Sequence, residues 1–301
     1  MHKVIASIKG RRPKNVLVLW FSQTGHTKRN GQLIAHTLKK LGLNVTASEM
    51  REFKRKSLRD FDLVVIGTPV FYYDIPGYVK NWIMSLPRLN ETPVASFVTF
   101  GGPEGDQHNA ACTILELLSE RGGVPVGMET FMNMGTMPTV WSDEKVSENV
   151  WNNRHLPNEE TYKKVRNYAL FLVNQVKEGN CIEVEKRITL RRFGTIFDLI
   201  WWTKLAIKEH AIDKDKCTQC GRCVEKCPTE ALDSVLKKVY RDRCVLCFGC
   251  INNCPEQAII MTYRGKKLFG FWELLRRKNI TIKEPEELQG TVKGDHRGAK
   301  T

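Results

Sequence analysis

No run of 18 apolar residues occurs in the 301-residue chain, so the sequence offers no helix able to cross a bilayer. The start, Met1-His2-Lys3, lacks the apolar core of a secretory signal peptide. No Gly-x-Gly-x-x-Gly unit joins a strand to a helix, and a separate dinucleotide-binding domain is therefore not expected. These absences predict a cytoplasmic protein without a transmembrane segment. Cysteine, by contrast, is plentiful: ten are present, and eight of them fall between Cys217 and Cys254.

Those eight form two copies of the spacing Cys-x2-Cys-x2-Cys-x3-Cys-Pro. The first is Cys217, Cys220, Cys223 and Cys227 before Pro228; the second, 27 residues on, is Cys244, Cys247, Cys250 and Cys254 before Pro255. The same offset relates Asp215 to Asp242 and Ala231 to Ala258, so the halves are expected to fold alike about a pseudo-twofold axis. A disulfide framework would need a secreted context, and paired zinc sites normally have a longer gap between ligand pairs. The run resembles bacterial-type ferredoxins that carry two [4Fe-4S] clusters. In that arrangement three thiolates wrap one face of a cluster, while the fourth, ahead of a chain-stopping proline, ligates the other cluster. The resemblance implies one cluster on Cys217, Cys220, Cys223 and Cys254 and another on Cys244, Cys247, Cys250 and Cys227. Val224, Ala231, Leu232, Val245, Leu246, Phe248, Ile251, Ile259 and Ile260 are expected to exclude water from the sulfurs.

This part accounts for a small share of the chain, so a larger domain with its own core must precede it. The formal charge of +14 is concentrated in Lys9–Lys14, Arg51–Arg59, Lys186–Arg192 and Arg264–Lys300. Such runs suit acidic redox proteins, anionic lipid or, least favoured here, nucleic acid; the plainer alternative is a set of solvated faces.

From the start, Val16–Phe21 is a continuous apolar run, which predicts a strand buried on both faces of a parallel sheet. Ser22-Gln23-Thr24-Gly25-His26-Thr27 then leads into a helical pattern through Leu33, Ile34 and Leu38 that ends at Gly42. Strand, hydroxyl-rich loop and helix make an anion site, where backbone N–H groups and three hydroxyls surround a phosphate monoester. Ordinary helix N-capping is the alternative. Further strands are predicted near Leu43–Ala47, Phe61–Gly67, Pro93–Phe100 and Val124–Phe131, with helices from Pro76 and over Asn109–Glu120 and Asn158–Lys177. Two of the strands run into distinctive loops, Thr68-Pro69-Val70-Phe71-Tyr72-Tyr73 and Gly101-Gly102-Pro103-Glu104-Gly105. The fold class is α/β with a doubly wound parallel sheet, and all three loops lie at carboxyl ends of strands, where such sheets bind ligands.

In that order the three loops resemble those of flavodoxins, over residues 15–180. The resemblance implies FMN, with its phosphate held by Ser22, Thr24, Thr27 and the backbone of Gln23, Gly25 and His26. Thr68, Pro69, Val70, Phe71, Tyr72 and Tyr73, with Phe100, Gly101, Gly102 and Gly105, would surround the isoalloxazine. Phe71 takes the usual aromatic place, whereas Tyr72 and Tyr73 stand where related sequences often have small residues. His26 replaces a common Asn; it either adds charge beside Lys28 and Arg29 or faces solvent. The two halves together resemble the flavodoxin–ferredoxin fusion proteins of anaerobic bacteria and archaea. The implied division is a basic leader 1–14, an FMN domain 15–180, a linker and docking helix 181–210, a small α+β two-cluster domain 211–263 and a basic tail 264–301.

Two segments belong to neither parent. Residues 135–157, with Met137, Trp141 and Trp151, exceed a usual connection and are expected to be a lid over the flavin or a loop that packs its tryptophans on the domain. Phe193–Ile207, with Trp201 and Trp202, is too short to span a bilayer and is expected to dock the two halves, a surface-lying membrane helix being the alternative. Cys112 and Cys181 are expected to be inert thiols. The function implied is electron transfer between the clusters, FMN and an external redox protein. Its rival is a flavin-dependent reductase of a small molecule, fed by the clusters. A carrier would leave the flavin open to proteins; a reductase would enclose it.

Overall fold

The computed structural model describes residues 9–53, 58, 60–102, 106–142, 144–188 and 199–289. Five strands, β1 (Asn15–Trp20), β2 (Asn44–Glu49), β3 (Leu63–Pro69), β4 (Pro93–Phe100) and β5 (Val124–Met132), pair in parallel in the order β2-β1-β3-β4-β5. Successive side chains of a strand point to opposite faces. Val16 and Val18 accordingly pack on α1 (His26–Lys40) and α5 (Glu159–Glu178), whereas Leu17 and Leu19 pack beneath α2 (Gly77–Met84) and α3 (Gln107–Glu120). Cover on both faces explains why the central strands read as unbroken apolar runs. The strand order reverses between β1 and β3, and the loops that leave these two strands diverge around a crevice.

Between β5 and α5, residues 135–157 contain α4 (Glu148–Asn152). Trp141 is buried and its Nε1–H donates to Phe269 O at 3.0 Å, so this tryptophan packs, while Trp151 stays exposed.

The second unit begins with α6 (Leu199–Ala206) and β6 (Ile207–Ile212), continues through α7 (Arg222–Glu225), β7 (Leu232–Asp233), β8 (Lys238–Val239), α8 (Gly249–Asn253), β9 (Ile259–Tyr263) and β10 (Lys266–Lys267), and ends with α9 (Phe271–Arg277). The expected internal symmetry is present. β6 pairs antiparallel with β9, β7 with β8, and left-handed backbone recurs at the repeat offset in Gln219 and Leu246, Gly221 and Phe248, and Glu230 and Gln257. Ala231 N–H donates to Cys227 Sγ at 3.1 Å, and Ala258 N–H to Cys254 Sγ at 3.2 Å.

The stretch expected to be a basic tail is structured from 264 to 289. Phe269, Phe271, Leu274 and Leu275 are buried against Met134, Trp141 and Val150. Beyond α9 the chain is pinned to the flavodoxin-like half: Tyr162 OH donates to Lys283 O at 2.5 Å, and Arg166 grips the Glu287 carboxylate at 2.7 and 2.9 Å. The physical reason is amphipathicity, because α9 turns Phe271, Leu274 and Leu275 inward and keeps Arg276 and Arg277 on its other face. Of the expected docking segment, 193–198 lie outside the described residues; α6 leaves Trp201 and Trp202 exposed. Residues 290–301 and part of Lys186–Arg192 also lie outside. Among the described residues no helix is long and apolar enough to cross a membrane.

Candidate functional site

A cavity of about 540 Å³ is lined by Ser22, Gln23, Thr24, His26 and Thr27 from the loop after β1, by Pro69–Tyr73 after β3 and by Phe100, Gly101 and Gly102 after β4. The three loops singled out in the sequence therefore meet. Gly25 stands just behind, holding a left-handed φ of 94° at the start of α1 and donating its N–H to Ser22 Oγ at 3.2 Å. Thr68 is fully buried beneath the second loop rather than facing the cavity, and Gly105 lies outside the described residues. The opposite wall comes from Met134–Met137 and Val140, from Thr203 of α6, and from Leu246, Cys247 and Phe248 of the cysteine-rich unit.

His26 is 5% exposed, and burial, helped by Arg29, pushes its imidazole down to about 3. It is neutral near pH 7, so it neither adds charge nor faces solvent. Arg29 Nη1 lies 3.4 Å from His26 Nδ1, which leaves Nε2 for the ring proton. The Arg29 charge is taken up by Glu284 from the far end of the chain, with Nε to Oε2 at 2.7 Å and a second contact from Nη2 to Oε1. Thr27 Oγ1 lies 2.7 Å from Thr99 Oγ1. His26 Nε2, Gln23 Oε1 and Asn133 Oδ1 are buried on the wall with no protein partner. Buried polar atoms are rarely left so, and these fit a polar ligand seated among them. Tyr72 and Tyr73 hold φ values of 48° and 70° in a tight turn closed by Phe71 N–H to Asp74 O at 2.7 Å and Asp74 N–H to Phe71 O at 3.0 Å. Non-glycine residues in this region carry strain that clusters at functional sites.

The eight cysteines surround two small cavities. One, of about 20 Å³, is lined by Cys217, Cys220, Cys223 and Cys254; the other, of about 10 Å³, by Cys227, Cys244, Cys247 and Cys250. Each set takes three cysteines from one copy of the repeat and one from the other. Burial pushes the Cys223 thiol up to about 11 and the Cys247 thiol up to about 12. Such thiols ionise when a bound metal supplies the opposing charge. Of the expected apolar jacket, Ala231, Leu232, Leu246, Phe248, Ile251 and Ile259 are buried, Val245 and Ile260 are partly buried, and Val224 is exposed. Cys112 is buried near Met128 and pushed up to about 11, in keeping with an inert thiol, and Cys181 is half-buried.

Gln23 joins the two halves. Its Nε2 donates to Lys226 O at 3.2 Å, its backbone carbonyl accepts from Asn253 Nδ2 at 2.8 Å, and its Oε1 would lie 2.2 Å from a Cβ at Gly249. Lys226 and Asn253 each immediately precede a cysteine that crosses to the other set. Asn252 ties the same helix to residues 135–157 and to α9, donating to Thr136 O at 3.2 Å and accepting from Phe271 N–H at 2.8 Å. The bridging roles of Gln23, Arg29, Asn252, Asn253 and Glu284 carry no local sequence signal, because each depends on a partner distant in the chain.

A family profile described as a flavodoxin domain matches residues 17–136, and one described as a 4Fe-4S binding domain matches residues 210–233. A flavodoxin of Clostridium saccharobutylicum is 30% identical over 110 residues, which are 36% of this chain and 69% of that protein. An FMN-dependent NADH:quinone oxidoreductase of Aeromonas salmonicida (strain A449) is 36% identical over 83 residues, 28% of this chain, and the chain spans only 40% of that protein's length. Among solved structures, oxidised flavodoxin 2 from Bacillus cereus aligns with a TM-score of 0.41 at 19% identity, covering 54% of this chain and 99% of that one. A flavin-type domain followed by a 4Fe-4S domain defines an iron–sulfur flavoprotein of electron transfer. The chain belongs to the flavodoxin family, and its architecture is that of a flavodoxin–ferredoxin fusion.

Proposed function

We propose that the chain delivers electrons from two [4Fe-4S] clusters to an FMN enclosed between its halves, and that the flavin reduces a small molecule admitted to the same cavity. The observation that carries this reading is the composite wall: residues 134–140, Thr203 and Leu246–Phe248 close over the three flavodoxin-type loops. Two sets of four sulfurs match two clusters, one on Cys217, Cys220, Cys223 and Cys254, the other on Cys227, Cys244, Cys247 and Cys250. Each cluster exchanges one electron and FMN accepts two, so two clusters match one fully reduced flavin.

Ser22, Thr24 and Thr27, with the backbone of Gln23, Gly25 and His26, hold the phosphate at the start of α1. The neutral His26 offers an N–H there. Pro69–Tyr73 and Phe100–Gly102 flank the ring, with Thr68 shaping the loop from below. The working units are residues 15–180 and 211–263, joined by 181–210, with 264–289 fastening one to the other. A redox protein is the external donor and meets the clusters; the reducing cytoplasm is the setting that thiolate clusters need. The likeness to a protein named as an FMN-dependent NADH:quinone oxidoreductase supports a small-molecule acceptor.

A panel of oxidants offered anaerobically to the chemically reduced protein tests the proposal. Small molecules are expected to reoxidise the flavin even when the clusters have been removed by substitution of their cysteines. Reoxidation by redox proteins alone, at an equal rate in the cluster-free variant, would return the chain to a simple carrier.

A further inference from the structure

The 27-residue repeat is symmetrical in backbone and unsymmetrical in side chains. The first copy reads Thr218-Gln219-Cys220-Gly221-Arg222 and the second Val245-Leu246-Cys247-Phe248-Gly249. Cys220 is exposed, whereas Leu246 and Phe248 are each 3% exposed. Leu246, Cys247 and Phe248 line both the large cavity and the small one around Cys227, Cys244, Cys247 and Cys250. The small cavity around Cys217, Cys220, Cys223 and Cys254 shares no lining residue with the large one. Phe248 holds φ 56° where the first copy places Gly221 at φ 75°. Bulky residues avoid this region, and Phe248 adopts it where it lines the shared cavity. From the flavodoxin side, Tyr72 packs into the same apolar core as the cysteines, and its burial draws the two halves into contact.

We infer that the inner cluster, held by Cys227, Cys244, Cys247 and Cys250, is the flavin's immediate electron partner, reached through Cys247 with Tyr72 and Phe248 as the packed medium. The outer cluster, held by Cys217, Cys220, Cys223 and Cys254, is the point of entry, reached at exposed Cys220. The inference rests on the two clusters and FMN proposed above and adds their order. A one-electron donor protein is oxidised at the outer cluster. Each electron then passes to the inner cluster and on to the flavin, and two such passages with two protons from water complete its reduction.

The test is magnetic and independent of turnover. Anaerobic protein carrying both cofactors is mixed with a low-potential one-electron donor and freeze-quenched while the clusters are reduced and the flavin holds one electron, and power saturation of the flavin EPR signal reports a fast-relaxing cluster nearby. The variant Cys217→Ala/Cys220→Ala is expected to keep the full relaxation enhancement, and Cys244→Ala/Cys247→Ala to lose it. Loss of the enhancement in Cys217→Ala/Cys220→Ala, with the inner cluster still present by iron and sulfide content, would overturn the order. If the second variant fails to fold, the first decides alone, since its substitutions lie on the outer side. Wild-type protein that binds fewer than about eight irons, or no FMN, would instead refute the underlying reading, because two [4Fe-4S] clusters require that count.

Discussion

Thr24 and Thr27 line the cavity at the opening of α1, where the proposed function has their hydroxyls hold the phosphate, and Thr27 is also set by Thr99. Hydrogen bonds to a charged group are worth about 1.5–3 kcal/mol each. Thr24→Ala/Thr27→Ala is therefore expected to release flavin while cluster absorbance remains, as measured by FMN in the denatured supernatant beside iron content. Full FMN occupancy in that variant, or FAD in place of FMN, would contradict the phosphate assignment. His26 makes a separate prediction, for the apoprotein. Its folded value lies at about 3 against an ordinary 6.5, so as pH falls through that window the unfolded chain takes up a proton that the folded chain refuses. Stability is therefore lost between those values as pH falls. His26→Gln should flatten the decline of Tm over the same range, leaving the parts due to His210, which burial pushes down to about 4, and to Glu287, whose carboxyl the Arg166 hydrogen bonds hold down at about 2. An unchanged slope would mean that His26 is not buried as described.

At the scale of elements, α8 seats the loop after β1 on the cysteine-rich unit through Gln23 and Gly249. A methyl group on Gly249 would meet the buried Gln23 side chain at 2.2 Å and displace it from Lys226 O. Gly249→Ala should lower FMN retention and cluster content together, and Gln23→Ala in the same chain should restore both. A double variant no better than Gly249→Ala would show that the clash lies elsewhere. The strap after α9 is a second such device. Arg29 is 5% exposed and relies on Glu284, so Glu284→Gln is expected to destabilise the protein by about 3 kcal/mol, at the low end for a broken buried pair because Glu284 is itself a quarter exposed. Thermal unfolding and proteolysis of residues 279–289 check this; an unaltered Tm would speak against it. These contacts mark the limit of what the sequence shows. Pro93–Phe100 is a strand where the sequence predicted one, because that signal is local, and the cysteine sets sort as the resemblance to two-cluster ferredoxins implied. The packing of 264–289 was hidden by basic composition that masks one apolar helix face. The left-handed turn at Tyr72 and Tyr73 was hidden because aromatic doublets ordinarily favour extended chain. Gln23 meets Gly249 only once the two halves have docked.

For the whole molecule, the proposed function makes the shared cavity, the crossed cysteine sets and the strap parts of one body in which one-electron centres serve a two-electron centre. Ferredoxin-type clusters are expected toward the low end of their range of potentials, which makes passage toward the flavin downhill. The most direct measurement is an anaerobic reductive titration of the intact protein, following cluster and flavin absorbance together, with the rate of flavin reduction by a low-potential donor compared in a variant lacking both clusters. The expected result is uptake of about four electrons, two in the clusters and two in the flavin, and a flavin reduced slowly or not at all when the clusters are gone. Uptake of about two electrons, or an unchanged rate without clusters, would contradict the converter and leave the clusters a structural part.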